Sequence, residues 1–333
     1  MNLQERIGLL IKLGKYLQSA DPAWTAAKEN AERYNGWFTQ LFIETAVKNI
    51  VANFLDAGKL QDFVAGYKIP VNESNPKNIG LVMAGNIPLV GFHDWLCIFL
   101  SGHHAVVKSS SKDTVLITHI VEKLVSWNKE TGNQTRFSDM LKKCDAYIAT
   151  GSNNSARYFD YYFAKYPHII RRNRTSVAIL TGDETIADLD KLADDVNLYY
   201  GLGCRNVTKL YVPEKYDFVP LLETFKKYIG FADHNKYKNN YDYQLAIALL
   251  NNKYYMTNGA ILLIENDAVF SAISQLHYEF YTGSPQEISV GLHNNDDIQC
   301  VIGKGFIDFG QAQNPSLADF ADGIDTMAFL LAA

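Results

Sequence analysis

Between Asn78 and Tyr200, short apolar runs alternate with amphipathic stretches, and this alternation constrains the fold more than any other feature of the chain. Ile79–Ala84, Ala105–Lys108, Ala146–Ala149 and Ser176–Leu180 read as buried strands. The stretch up to Leu100 and residues 114–128, 152–164 and 185–200 carry helical spacing. Strands alternating with helices build βαβ units and a mostly parallel sheet. Ligands bind such sheets at the loops that leave the carboxyl ends of the strands. Three of these loops have suggestive content: Gly85-Asn86, Lys108 to Ser111, and Gly151-Ser152-Asn153-Asn154-Ser155. The chain contains no GxGxxG, so the usual dinucleotide fingerprint does not support this site.

Around this block the chain reads in four parts. Helical patterns at 3–19, 24–34 and 38–57, followed by a loop with Pro70 and Pro76, make residues 1–75 a helical segment with a linker. Residues 76–200 form a Rossmann-type cofactor lobe. Residues 201–320 form a second α/β, catalytic lobe, with strands at 208–212 and 260–264 and helices from 217 and at 241–250. Residues 321–333 are a C-terminal segment suited to an oligomer contact. A net charge of −5 argues against a nucleic-acid binder. The longest apolar run, Leu89 to Leu100, is too short to span a bilayer and is interrupted by His93 and Asp94. His93 and Asp94 read as core or capping residues. The start of the chain reads as an amphipathic helix rather than a signal peptide, and a cytoplasmic location is expected. Cys97, Cys144, Cys204 and Cys300 are widely spaced, which indicates neither a disulfide framework nor a zinc site, and His103-His104 lacks partners at ligand spacing. No metal is expected.

Gly201-Leu202-Gly203-Cys204-Arg205-Asn206 lies between a helical segment and the strand-like Lys209-Leu210-Tyr211-Val212. Its glycines allow a tight turn, and a thiol at such a bend is presented rather than buried. Arg205 can favour the thiolate. A cysteine of pKa about 8.5 is only a few per cent ionised at pH ~7, so a small depression multiplies the nucleophile. The alternative is that Cys204 is a small apolar filler, and the local residues alone leave both readings open.

Four segments together, Gly85-Asn86-Ile87-Pro88, Val106-Val107-Lys108-Ser109, Thr150-Gly151-Ser152 and Gly201-Leu202-Gly203-Cys204-Arg205, resemble the aldehyde dehydrogenase superfamily. The closer resemblance is to its acyl-CoA reductase branch, the LuxC-type fatty acyl reductases, whose ending Phe320-Ala321-Asp322-Gly323-Ile324-Asp325-Thr326-Met327 also resembles. The resemblance implies a two-lobe α/β fold in which Cys204 attacks a thioester carbonyl and holds the acyl group. It implies that the Asn86 amide, with the backbone N–H of Cys204, donates to the oxyanion. Lys108 matches the lysine at the cofactor's adenosine ribose, and Gly151, Ser152 and Ser155 match the loop and helix start at the pyrophosphate. Glu279 matches the glutamate at the nicotinamide ribose. Ser111 stands where NAD-preferring members carry a glutamate, and with Ser109 it favours NADP(H) over NAD(H). The same serines can instead cap the helix at 114–128.

The hydrolytic members activate water with a glutamate, whereas the corresponding region here is Arg171-Arg172-Asn173-Arg174-Thr175-Ser176. Its lack of a carboxylate favours transfer to or from a thiol. The three arginines either neutralise phosphates or form a solvated charge cluster. The expected activity is reduction of an acyl-CoA or acyl-carrier thioester to an aldehyde with NADPH. The alternatives are a hydrolytic NAD(P)-dependent aldehyde dehydrogenase and a non-catalytic cofactor-binding scaffold. By resemblance a homo-oligomer, a dimer or larger, is expected, along with an acyl-transfer partner protein.

Overall fold

The computed structural model describes residues 1–293 and 295–333. The chain folds into two units, one of residues 1–173 with 315–333, the other of residues 174–314.

The first unit opens with α1 (Leu3–Leu17), α2 (Pro22–Tyr34), α3 (Gln40–Phe54) and α4 (Ala57–Ala65). Side-chain caps start each of them: Asn2 in a capping box with Glu5, then Asp21, Thr39 and Asp56. The chain continues through β1 (Asn78–Val82), α5 (Phe92–Ser101), β2 (His104–Lys108), α6 (Val115–Trp127), α7 (Thr131–Gln134), β3 (Thr135–Phe137), β4 (Ala146–Thr150), α8 (Asn153–Phe163) and β5 (His168–Arg171). The five strands are all parallel, in the order β3-β2-β1-β4-β5. Leu10, Leu13, Trp24, Ile43 and Leu60 share one apolar cluster with Ile79, Leu81, Val107 and Ile148. The N-terminal helices are therefore part of the sheet's own core and not a separate preamble.

The second unit comprises β6 (Thr175–Ile179), α9 (Ile186–Asn197), β7 (Val207–Pro213), α10 (Val219–Thr224), α11 (Asn235–Leu250), β8 (Met256–Thr257), β9 (Leu262–Glu265), β10 (Gln275–Tyr281), α12 (Pro285–His293) and β11 (Ile298–Ile302). Its sheet runs β11-β6-β7-β10-β9-β8 and is parallel except for the β8–β9 pair. Val177, Ala178, Leu210, Val212 and Leu276 at its centre are fully buried.

The division of the chain falls at 173/174 rather than at 200/201. The strand placed by sequence in the cofactor lobe at Ser176–Leu180 pairs with β7 and β11 in the second unit. From Pro315 the chain belongs again to the first unit, where α13 (Thr326–Ala332) buries Met327 and Leu330 completely. Met327 and Leu330 of its apolar face are thus packed within its own unit. His93 Nε2 lies 3.0 Å from the Leu317 carbonyl and His103 Nε2 lies 3.0 Å from that of Leu330, so both histidines brace this return.

Candidate active site

Parallel pairing of β1 with β2 and β4 sets Val82 opposite Lys108 and Ala149. The loops after these three strands therefore leave the same edge of the sheet, and five of the first unit's seven candidate residues lie on them, with Ser155 in the first turn of α8. Lys108 is the last residue of β2. Asn86 is exposed on the first loop. Gly85 beside it packs so closely that a Cβ there would meet Ser110 Oγ at 2.6 Å, which only glycine avoids. Lys108 and Ser111 are exposed and Ser109 is half-buried. The Ser110 hydroxyl accepts the Lys112 amide at 3.2 Å, and Asn35 Nδ2 donates to the Lys112 carbonyl at 3.1 Å. No side chain caps α6, so the serines do not serve as its cap. On the third loop Gly151 is half-buried and Ser152 is the N-cap of α8, its hydroxyl accepting the Ser155 amide at 3.3 Å. Ser152, Asn153 and Asn154 leave the start of this helix open to solvent. A hydroxyl-rich edge with a lysine and an exposed helix start is chemically suited to phosphate groups.

The three arginines of 171–174 are engaged separately and not as one cluster: Arg171 is buried, Arg174 half-buried and Arg172 exposed. Arg171 is buried, donating from Nη2 to Asp94 Oδ1 at 2.8 Å and from Nε to Asp94 Oδ2 at 3.2 Å. Nη2 also donates to the Thr326 hydroxyl at 2.7 Å, and Nη1 to the Ala321 carbonyl. Arg172 pairs with Asp160, and Arg174 donates to the Ile298 carbonyl at 3.1 Å. Arg171 ties the C-terminal motif to α5, which explains the Ala321–Thr326 stretch without ligand chemistry.

In the second unit Cys204 occupies the turn that enters β7. It is partly exposed, whereas Cys97, Cys144 and Cys300 are buried. The turn is built by a left-handed run: Tyr199 and Tyr200 both have φ 56° and Gly201 has φ 74°. Only glycine adopts this conformation cheaply, so two buried tyrosines there mark strain that the surroundings must hold. Asn206 does so. Fully buried, it accepts the Gly203 amide at 2.8 Å and donates to the carbonyls of Leu198 at 2.9 Å, Asp195 at 3.1 Å and Val196 at 3.2 Å. From β6, Ser176 Oγ lies 3.1 Å from the Cys204 carbonyl and 3.0 Å from Cys300 Sγ. Arg205 Nε donates to the Ala312 carbonyl at 2.6 Å, so part of its guanidinium is committed to bracing the loop. Asp195 fixes that segment by accepting the amides of Gly310 at 2.6 Å and Ala312 at 3.0 Å. Asn206, Asp195 and Ser176 carry no local sequence signal for these roles, because their partners come from other elements.

Glu279 lies on β10 opposite Tyr211. It accepts an ion-paired hydrogen bond from Lys209, a buried lysine that also donates to the Asp267 carbonyl at 2.5 Å and sits 4.8 Å from the Tyr211 ring centroid. The candidate residues thus fall into two sets, Asn86, Lys108, Ser109, Ser111, Gly151, Ser152 and Ser155 in the first unit, Cys204 and Glu279 in the second. Among the described residues no cluster of His, Cys, Asp or Glu is arranged to hold a metal ion, and no helix is long and apolar enough to cross a membrane.

The family model described as acyl-CoA reductase (LuxC) matches residues 38–230. No curated protein matches the chain by sequence. Among solved structures, aldehyde dehydrogenase 21 of Physcomitrella patens, solved with its product succinate, superposes with a TM-score of 0.67 at 14% identity, over 91% of this chain and 74% of that one. An aldehyde dehydrogenase of Bartonella henselae gives 0.65 at 12% identity over 91% and 74%. An aldehyde dehydrogenase of Bacillus cereus in complex with NAD+ gives 0.61 at 14% identity over 89% and 70%. At these identities the likeness is one of fold.

Proposed function

Because this chain belongs to the LuxC acyl-CoA reductase family, with the aldehyde dehydrogenase fold, we propose that it reduces an acyl thioester to an aldehyde through an acyl group held on Cys204. The observation that carries this reading is the Cys204 turn: a partly exposed thiol on a strained loop that Asn206 braces from within. In the first step the Cys204 thiolate adds to the thioester carbonyl, and the bond to the departing thiolate breaks as that sulfur takes up a proton. The Asn86 amide and the Cys204 backbone N–H donate to the oxygen on which negative charge develops. One such donor contributes about 10²–10³ in rate. A reduced nicotinamide, when bound, supplies the hydride that the acyl carbon needs. Cleavage of the carbon–sulfur bond then frees the aldehyde and regenerates the thiol, the two-step logic of covalent catalysis.

Lys108, Ser109 and Ser111, with the start of α8 at Ser152 and Ser155, would hold the adenosine and phosphate end of the cofactor, and Glu279 would hold the nicotinamide ribose. Ser111 places no carboxylate where a 2′-phosphate would sit, and Lys112 is exposed next to it, which favours NADPH. The absence of a carboxylate from Arg171–Ser176 favours a thiol acceptor or donor over water.

Intact-protein mass after mixing with a panel of acyl-CoAs tests this. A single acyl increment is expected on the wild type, absent from Cys204→Ala and discharged as aldehyde on adding NADPH, with NADH less effective. An increment that persists in Cys204→Ala, or none with any donor while NADPH still binds, would overturn the covalent reading.

A further inference from the structure

The loop that carries Asn86 is held by a buried carboxylate that the proposed chemistry does not use. Asp113 follows the Lys108–Ser111 run, and its Oδ2 accepts the Leu89 amide at 2.7 Å. Asp113 is buried, and its Oδ1 is enclosed with no hydrogen-bond partner. Burying a carboxyl with one unsatisfied oxygen is costly. Burial pushes Asp113 up to about 7, and the Leu89 amide offsets only part of that. The residue it grips is itself strained. Leu89 is a buried leucine with φ 58°, a left-handed conformation that a branched apolar side chain rarely adopts. At the other end of the same short loop, Gly85 lies against Ser110 with no room for a Cβ. A strained residue and an unsatisfied carboxyl facing each other persist only where their surroundings over-determine them, and such pairs concentrate at functional sites.

We infer that Asp113 is a positioning residue: its carboxylate pins Leu89 in the left-handed conformation and thereby sets where Asn86, three residues earlier, presents its amide. The inference rests on the reading in which Asn86 donates to the acyl oxygen. The neighbouring Ser109–Lys112 run has its own braces, from Ser110 to the amides of Lys112 and Asp113 and from Asn35 to the Lys112 carbonyl. Removing the carboxyl therefore acts on the Asn86 loop and leaves the cofactor loop's own bonds in place.

The test is a single-turnover acylation rate, read by intact mass, alongside the Kd for NADPH, in wild type, Asn86→Ala, Asp113→Ala and Asp113→Asn, each checked by thermal melting. Asn86→Ala is expected to slow acylation about 10²–10³-fold. Asp113→Ala is expected to slow it at least about tenfold with the NADPH Kd within about threefold of wild type. Asp113→Asn, whose Oδ1 still accepts the Leu89 amide, is expected to return to within about threefold of wild type. Wild-type acylation in Asp113→Ala, or equal slowing in the Ala and Asn variants, overturns the inference while a slow Asn86→Ala leaves the oxyanion reading standing. An unaffected Asn86→Ala sinks that reading instead. Should Asp113→Ala fail to melt cooperatively, Asp113→Glu is read in its place, since it keeps the charge and moves it by one methylene. Undiminished acylation there equally overturns the inference.

Discussion

Replacing Arg171 by methionine isolates the tie between the C-terminal segment and the first unit's core. Asp94 and Arg171 form a two-point ion pair at 2.8 and 3.2 Å, and both side chains are almost wholly shielded from water. Arg171 also serves Thr326 and Ala321, and the Thr326 hydroxyl lies 3.2 Å from Asp94 Oδ1. Arg171→Met leaves the Asp94 carboxylate buried with the weak Thr326 contact and no cation, a situation that costs about 3–5 kcal/mol. Asp94→Leu strands the guanidinium and costs a similar amount. Removing both together is expected to cost far less than the sum, because no charge is then left without a counterpart, so a double-mutant cycle in urea should give a coupling of several kcal/mol. Burial pushes the Asp94 carboxyl up, but Arg171 and Thr326 outweigh it and hold it below the usual aspartate range. The pair's contribution is therefore fully present above pH ~4 and is lost only as pH falls through the lower folded value. Amide hydrogen exchange across Thr326–Leu330 should accelerate in either single variant. A cost below about 1 kcal/mol for Arg171→Met, or a double variant as unstable as the sum, would refute the reasoning.

Asn206→Ala is expected to destabilise the second unit by about 1–3 kcal/mol and to slow Cys204 acylation, measured by urea unfolding and intact mass. Asn206→Asp should be worse, since it turns a carboxylate oxygen toward the carbonyls of Asp195, Val196 and Leu198. For Asp195, burial raises the carboxyl to about 7, partly offset by the Gly310 and Ala312 amides. A folded value above the unfolded one means that the folded state holds the extra proton between pH ~4 and ~7, so stability falls as pH rises through that window. The difference in unfolding free energy between wild type and Asp195→Asn should decline across it by up to about 1.4 kcal/mol per pH unit. A flat difference would contradict the assignment.

The parts of this fold that were legible in the sequence are those whose signal is local. Ile79–Val82, Ala105–Val107 and Ala146–Ala149 are buried on both faces and read as continuous apolar runs. β5, β10 and β11 were not visible. β5 ends in Arg171, whose charge is balanced by an aspartate far away in sequence. β10 carries His277 and Glu279 among aromatics, and Glu279 is the counter-charge of Lys209, a buried lysine on the neighbouring strand. β11 is five residues long and follows two aspartates, without a helix pattern strong enough to announce it. The same limit applies to the candidate site. Cys204 and its glycines stand out by residue type, and Asn86 and Lys108 by resemblance. Asn206, Asp195 and Asp113 do not stand out, because each matters through backbone atoms that only the fold brings to it.

Those buried polar residues explain a pattern in the backbone. The positive-φ residues other than glycine are Leu89, Lys143, Tyr199, Tyr200, Lys215, Asn252, Ser274 and Asp322 among the described residues. Lys143, Lys215 and Asn252 are exposed, as ordinary turn positions are, and Ser274 and Asp322 are small or turn-tolerant. Leu89, Tyr199 and Tyr200 are the bulky buried cases, and all three fall in the two loops that carry Asn86 and Cys204. Each such residue costs about 1–2 kcal/mol. In each loop a buried polar side chain spends its hydrogen bonds on loop backbone, Asp113 on the Leu89 amide and Asn206 on the Leu198 carbonyl and the Gly203 amide that flank Tyr199–Gly201. A loop held in this way gives up stability in exchange for a fixed direction of the side chain it presents. That is the trade expected of a loop whose side chain has to keep a fixed aim.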